Sequence, residues 1–72
     1  MESKQLVPMS KIISAKKSGD TVRVVIIGGN EYIGTIESTI KNHAKMIQTN
    51  GEEVYLWVSS IEQFEVLDNK DN

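Results

Sequence analysis

Seventy-two residues suffice for one domain and leave no room for a second. There is no cysteine, which excludes disulfides and thiolate metal sites, and the single histidine, His43, makes no imidazole cluster within one chain. Eight Lys+Arg against ten Asp+Glu leave a formal charge of −2. That balance weighs against coating nucleic acid regardless of sequence, which calls for a basic excess to neutralise phosphates.

A chain this short buries a modest share of its surface and is often helped by a disulfide, a metal or a partner subunit. Oligomerisation is the stabiliser left to this one. The longest apolar run, residues 24–27, falls far short of the ~20 residues a membrane helix needs. The N-terminus shows no apolar stretch of the secretory type. No membrane association and a cytoplasmic location are therefore expected, and the missing cysteines suit a reducing compartment.

Residues 1–7 are polar and unpatterned and are expected to be loose. Pro8 suits the first position of a helix, where its missing N–H costs nothing. Met9, Ile12, Ile13 and Lys16 follow at helical spacing, predicting a short helix over about 9–17, with Gly19 in Ser18-Gly19-Asp20 as its left-handed cap. Two turns of helix are marginal alone, so this one must lie on something apolar. From Thr21 the pattern becomes β, with branched residues over 21–27, a Gly28-Gly29-Asn30 turn and a second strand over 31–39. Gly34 inside that second strand marks a bulge or a sharp bend, the device by which a small sheet curls on itself.

Residues 40–42 read as a loop and 44–49 as a third strand. Asn50-Gly51 is the strongest hairpin signal in the chain and joins that strand to a fourth over 53–58. There Val54, Leu56 and Val58 alternate with Tyr55 and Trp57, which puts the aromatics on the face opposite the core. After the terse Ser59-Ser60 break comes a fifth strand over 61–67, then a polar tail over 68–72. A helix followed by five short strands predicts a mainly β, strongly bent small barrel of SH3-like shape.

Several side chains invite a functional reading. Lys41, His43 and Lys45 cluster near the loop and, repeated around an assembly, would form a positive collar for phosphates; otherwise they are an ordinary solvated loop. Trp57, the only tryptophan, is either an interface residue or a surface on which bases stack. Lys11, Lys16 and Lys17 read as the wet side of the helix, and Tyr32 as a structural tyrosine in a half-buried strand. Gly28-Gly29 lacks the lysine and helix start of a phosphate loop. Glu52-Glu53 and Glu62/Glu65 lack a buried setting that would raise a carboxyl pKa, so no catalysis, metal or cofactor is expected.

Residues 19–66 resemble the Sm-like family, which includes the Sm, LSm and Hfq proteins. The first motif stands as Val22-x-Val24-x-Ile26-x-x-Gly29-x-x-Tyr32-x-Gly34-x-Ile36. The second stands as Val54-Tyr-Leu-Trp-Val-Ser-Ser-Ile61, followed by Glu62-Gln-Phe-Glu-Val66. The resemblance implies RNA association and a homo-oligomeric ring in which strand four of one subunit pairs with strand five of the next. It assigns Val54, Tyr55, Leu56, Val58, Ile61, Phe64 and Val66 to the subunit interface. An open barrel has unpaired edges that invite such pairing, and head-to-tail contacts close into rings of roughly five to seven copies.

The family's usual RNA readers are replaced. The aspartate position is Ile40, the stacking position Asn42, the asparagine position Ala44, and the Arg-Gly pair becomes Trp57-Val58. The Lys-His pair of the Hfq branch falls on Leu56-Trp57. The expectation is therefore a divergent pocket for short single-stranded RNA, drawn from Lys41, Asn42, His43, Lys45 and Trp57. Its alternative is a protein-interaction ring or scaffold that has lost RNA binding. An SH3-type peptide binder shares the topology, but Tyr32, Tyr55, Trp57 and Phe64 are too few aromatics to line a polyproline groove.

Overall fold

A computed structural model describes residues 7–67. The expectations of a loose N-terminus and a polar tail fall on residues 1–6 and 68–72, outside the described residues, apart from Val7, which packs against the core. Helix α1 (Met9–Ser18) comes first, followed by strands β1 (Thr21–Ile26), β2 (Glu31–Ile40), β3 (His43–Gln48), β4 (Glu53–Trp57) and β5 (Ile61–Val66). A single 3₁₀ turn over Val58–Ser60 separates the last two strands.

Pro8 stands one position before the helix, extended at φ −71° and ψ 141°, and its carbonyl accepts from the Lys11 N–H at 3.1 Å. Gly19 adopts φ 72° and donates to the Ala15 carbonyl at 2.9 Å, and Asp20 donates to the same oxygen at 3.3 Å. This closes the helix as the left-handed cap predicted. Lys16 and Lys17 in the last turn suit the negative end of the helix dipole. The buried face is Ile12 and Ala15, three residues apart, with Met9 packed beside it, while Ile13 points to solvent. Full burial of an isoleucine such as Ile12 contributes about 2 kcal/mol, which is what holds so short a helix in place.

All five strands form one antiparallel sheet in the order β4-β3-β2-β1-β5. The inward residues Val22 and Val24 of β1, Ile36 of β2, Ala44 and Met46 of β3, Leu56 of β4 and Ile61 and Phe64 of β5 make the core with Ile12 and Ala15. Two hairpin turns share a hydrogen-bond pattern. Ile26 N–H donates to Asn30 O and Gly29 N–H to Ile26 O; likewise Gln48 N–H donates to Glu52 O and Gly51 N–H to Gln48 O. Gly28, Gly29 and Gly51 take φ of 101°, 94° and 92°, conformations costly to any residue with a Cβ. Ile27 falls in the first of these turns, which is why β1 stops one residue short of the expected 27.

Two register shifts curve the sheet, and one glycine permits a close approach of its strands. At Gly34 the β3 backbone lies so close that a Cβ would sit 2.0 Å from the Ile47 carbonyl oxygen. A register shift lies between Ile36 and Ser38, leaving Glu37 as the extra residue, and a second lies between Val25 and Ile26 opposite β5. Such bulges bend a strand and raise its twist. The sheet bends over its own core yet ends in two unjoined edges, β4 and β5.

Candidate functional site

The expected loop over 40–42 shrinks to the two residues Lys41 and Asn42, because Ile40 ends β2 and pairs with His43 at the start of β3. Lys41 makes the turn in the left-handed region at φ 54°. Asn42 O accepts from the Val58 N–H at 2.7 Å, which ties the end of β4 to this turn. The bulge at Glu37 has a second effect here. It shifts the alternation of β2, so that Thr39 pairs with buried Ala44 while Ile40 points outward beside His43.

Outward residues therefore align in rows across three strands. Ile40, His43 and Trp57 form one row, and Ser38, Lys45 and Tyr55 the next. The His43 and Trp57 rings pack at a centroid distance of 3.8 Å with a 43° tilt. The indole remains half-exposed, with Trp57 53% exposed and Ile40 64% exposed. The first row is a solvent-facing apolar platform with Lys41 at its edge, and Lys41 makes no ion pair among the described residues.

Lys45 is engaged. Its Nζ lies 3.0 Å from Glu37 Oε1 and 3.5 Å from Glu53 Oε1, and 5.8 Å from the centroid of the Tyr55 ring. The Glu37 hydrogen bond, aided by the charges of Glu37 and Glu53, holds the ammonium above its ordinary pKa against some desolvation. Arg23 is satisfied in the same way. It binds Glu31 through Nε and reaches Glu65 at 3.3 Å and Gln63 at 3.4 Å through Nη1, and the Glu31 hydrogen bond is the foremost cause of its raised pKa. Of the two lysines in the expected collar, Lys41 alone has no carboxylate ion pair among the described residues.

The structure thus brings Lys41, Asn42, His43 and Trp57 together and turns Lys45 toward carboxylates. Of the residues assigned to a subunit interface, Leu56, Ile61 and Phe64 are already buried within the single chain, so their strands have backbone rather than side chains to offer there. Val54 and Val58 are half-buried against the same core, whereas Tyr55 and Val66 are exposed, at 61% and 45%. Ile40 as part of the platform, and Glu37 and Glu53 as the partners of Lys45, were missed by sequence reasoning. No local signal marks the bulge that places them. Glu52, Glu53, Glu62 and Glu65 are all exposed, and the described residues hold no cluster of metal-ligating side chains. No helix among them is long and apolar enough to cross a membrane.

Neither a family model nor a curated protein matches the sequence. Among solved structures, the chain is similar to a 1.55 Å crystal structure of the pleiotropic translational regulator Hfq. The TM-score is 0.72 at 19% sequence identity, with 81% of this chain and 95% of that chain covered. An identity so low shows the fold alone. The fold is Sm-like, as the two motifs imply.

Proposed function

We propose, from the Sm-like fold as premise, that this protein is an RNA-associated ring former. Its copies join through the free edges β4 and β5 into a cytoplasmic homo-oligomer of about five to seven subunits. Each copy binds short single-stranded RNA on the Ile40–His43–Trp57 platform, with Lys41 as the phosphate contact and Asn42 at the turn. The observation that carries this reading is the half-exposed Trp57 indole packed against His43. Stacking of a base on such a surface is worth ~1–3 kcal/mol and tolerates any base. That the similar solved structure is of a translational regulator supports an RNA-linked role. No catalytic step and no cofactor belong to it.

Weak binding is expected, because the platform offers a single lysine without an ion pair among the described residues and the net charge is −2. Fluorescence polarisation of short labelled homopolymer RNAs at low salt tests the reading. Binding by at least one of them at micromolar protein supports it, and none binding at high micromolar protein overturns it.

A second reading, a protein-interaction ring that has lost RNA, is favoured by a separate observation. Both cations on the outer face of the sheet, Lys45 and Arg23, lie between pairs of carboxylates. Absence of RNA binding by an intact ring would favour this second reading.

A further inference from the structure

The phase of the backbone hydrogen bonds along the two open edges determines which side chains of adjacent copies share a face. In an antiparallel ladder, residues alternate between pointing their N–H and C=O toward one neighbouring strand and toward the other. On β4, Val58 N–H donates to Asn42 O and Gln48 N–H donates to Glu52 O, so the even-numbered residues bond toward β3. The free-edge groups of β4 thus belong to Glu53, Tyr55 and Trp57, whose side chains point away from the core.

On β5 the phase is reversed. Leu67 N–H donates to Thr21 O, and with Glu65 opposite Arg23 and Gln63 opposite Val25, the odd-numbered residues bond toward β1. The free-edge groups of β5 belong to Phe64 and Val66, which lie opposite the buried Val24 and Val22 and face the core side. Directly opposed residues of an antiparallel pair carry their side chains on the same face, and residues that exchange hydrogen bonds must both point at each other.

We propose that, where β4 of one copy pairs antiparallel with β5 of the next, Tyr55 and Trp57 of the first copy share a face with Phe64 and Val66 of the second. The outer face of the sheet in one copy then continues as the inner face in its neighbour. This rests on the ring reading and adds to it. The platform on Trp57 is then extended by the adjacent copy, whose exposed Val66 lies on the same face while Phe64 stays in its own core. It also accounts for two exposures at once. Val66 faces the core side yet is 45% exposed because it lies at an open edge, and Tyr55 is 61% exposed on the other edge. Pairing of the two edges covers both in the assembly.

The natural chain has no cysteine, so engineered pairs give an unambiguous readout. Full-length Tyr55→Cys/Val66→Cys and Tyr55→Cys/Phe64→Cys are compared with Tyr55→Cys/Glu65→Cys and Tyr55→Cys/Gln63→Cys under mild oxidation. The proposal expects covalent oligomers from one of the first two and from neither of the last two. Cross-linking through position 63 or 65, with none through 64 or 66, overturns it. Because Phe64→Cys loosens the core, the unmodified protein supplies a second measurement. The emission of Trp57, the sole tryptophan, is expected to shift to the blue as concentration rises through assembly. Assembly measured by mass without that shift overturns the proposal while sparing the ring. A monomer by mass at every concentration overturns both.

Discussion

Gly34 and Ile47 approach so closely across β2 and β3 that a Cβ on Gly34 would lie 2.0 Å from the Ile47 carbonyl oxygen and 2.6 Å from the Gln48 Cα. The obstacle is backbone on the partner strand, so no side-chain rotation relieves it. Gly34→Ala is therefore expected to cost about 3 kcal/mol, the upper part of the usual overpacking range. Urea midpoints at matched protein concentration check this, and a change within about 0.5 kcal/mol, the level of an ordinary surface substitution, would contradict it.

The carboxylates around Lys45 make a prediction about alkaline stability. A lysine whose folded pKa lies above its unfolded value contributes stability that is fully present below the unfolded value and is lost as pH rises through the folded one. Lys45 is shifted upward, chiefly by its hydrogen bond to Glu37. The expected loss falls in the alkaline range, beginning near the ordinary lysine pKa of about 10.4. Arg23 is raised as well but stays protonated throughout. In denaturation series at rising pH, Lys45→Met is expected to flatten the alkaline decline. Parallel curves for the two proteins would remove the ion pairs from the account.

Lys41 and Lys45, four residues apart in the chain, are expected to behave differently toward RNA. Each lysine that neutralises a phosphate of a single strand adds about 0.7 to the slope of log affinity against log salt. Lys41→Ala should lower the slope by about that much per bound copy, because Lys41 has no carboxylate partner among the described residues. Lys45→Ala should leave the slope nearly unchanged, since Lys45 is already held by Glu37 and Glu53. Equal effects of the two substitutions would return Lys45 to the RNA site.

Trp57→Ala removes the stacking surface without opening the core, whose buried residues do not include Trp57. RNA affinity is expected to fall about fivefold to 150-fold, the equivalent of ~1–3 kcal/mol. The circular dichroism spectrum of the variant should match that of the native chain. Undiminished RNA affinity would place the site elsewhere on the molecule.

Local chemistry made much of the fold legible. Gly19 as a left-handed cap, Asn50-Gly51 as a hairpin and the alternation of Val54, Leu56 and Val58 with Tyr55 and Trp57 each follow from one or two residues, and the structure bears them out, whereas Gly34 marks a close approach of β3 and the bulge falls at Glu37. The site was less legible because it depends on register. A bulge at Glu37 carries no sequence mark, yet it decides that Ile40 rather than Thr39 points outward and that Glu37 reaches Lys45. The pairing of Arg23 with Glu65 joins neighbouring strands that lie 42 residues apart in the chain and is invisible to any local pattern. Ile13 illustrates the same limit on the helix, since periodicity places it in the apolar stripe while packing selects Ile12 and Ala15.

Native mass spectrometry or sedimentation at micromolar concentration decides whether the open edges β4 and β5 close the copies into a ring. The expected result is a single closed species at about five to seven times the 8.1 kDa subunit mass. A sharp peak at the monomer mass, or an open series of sizes that grows with concentration, would contradict it.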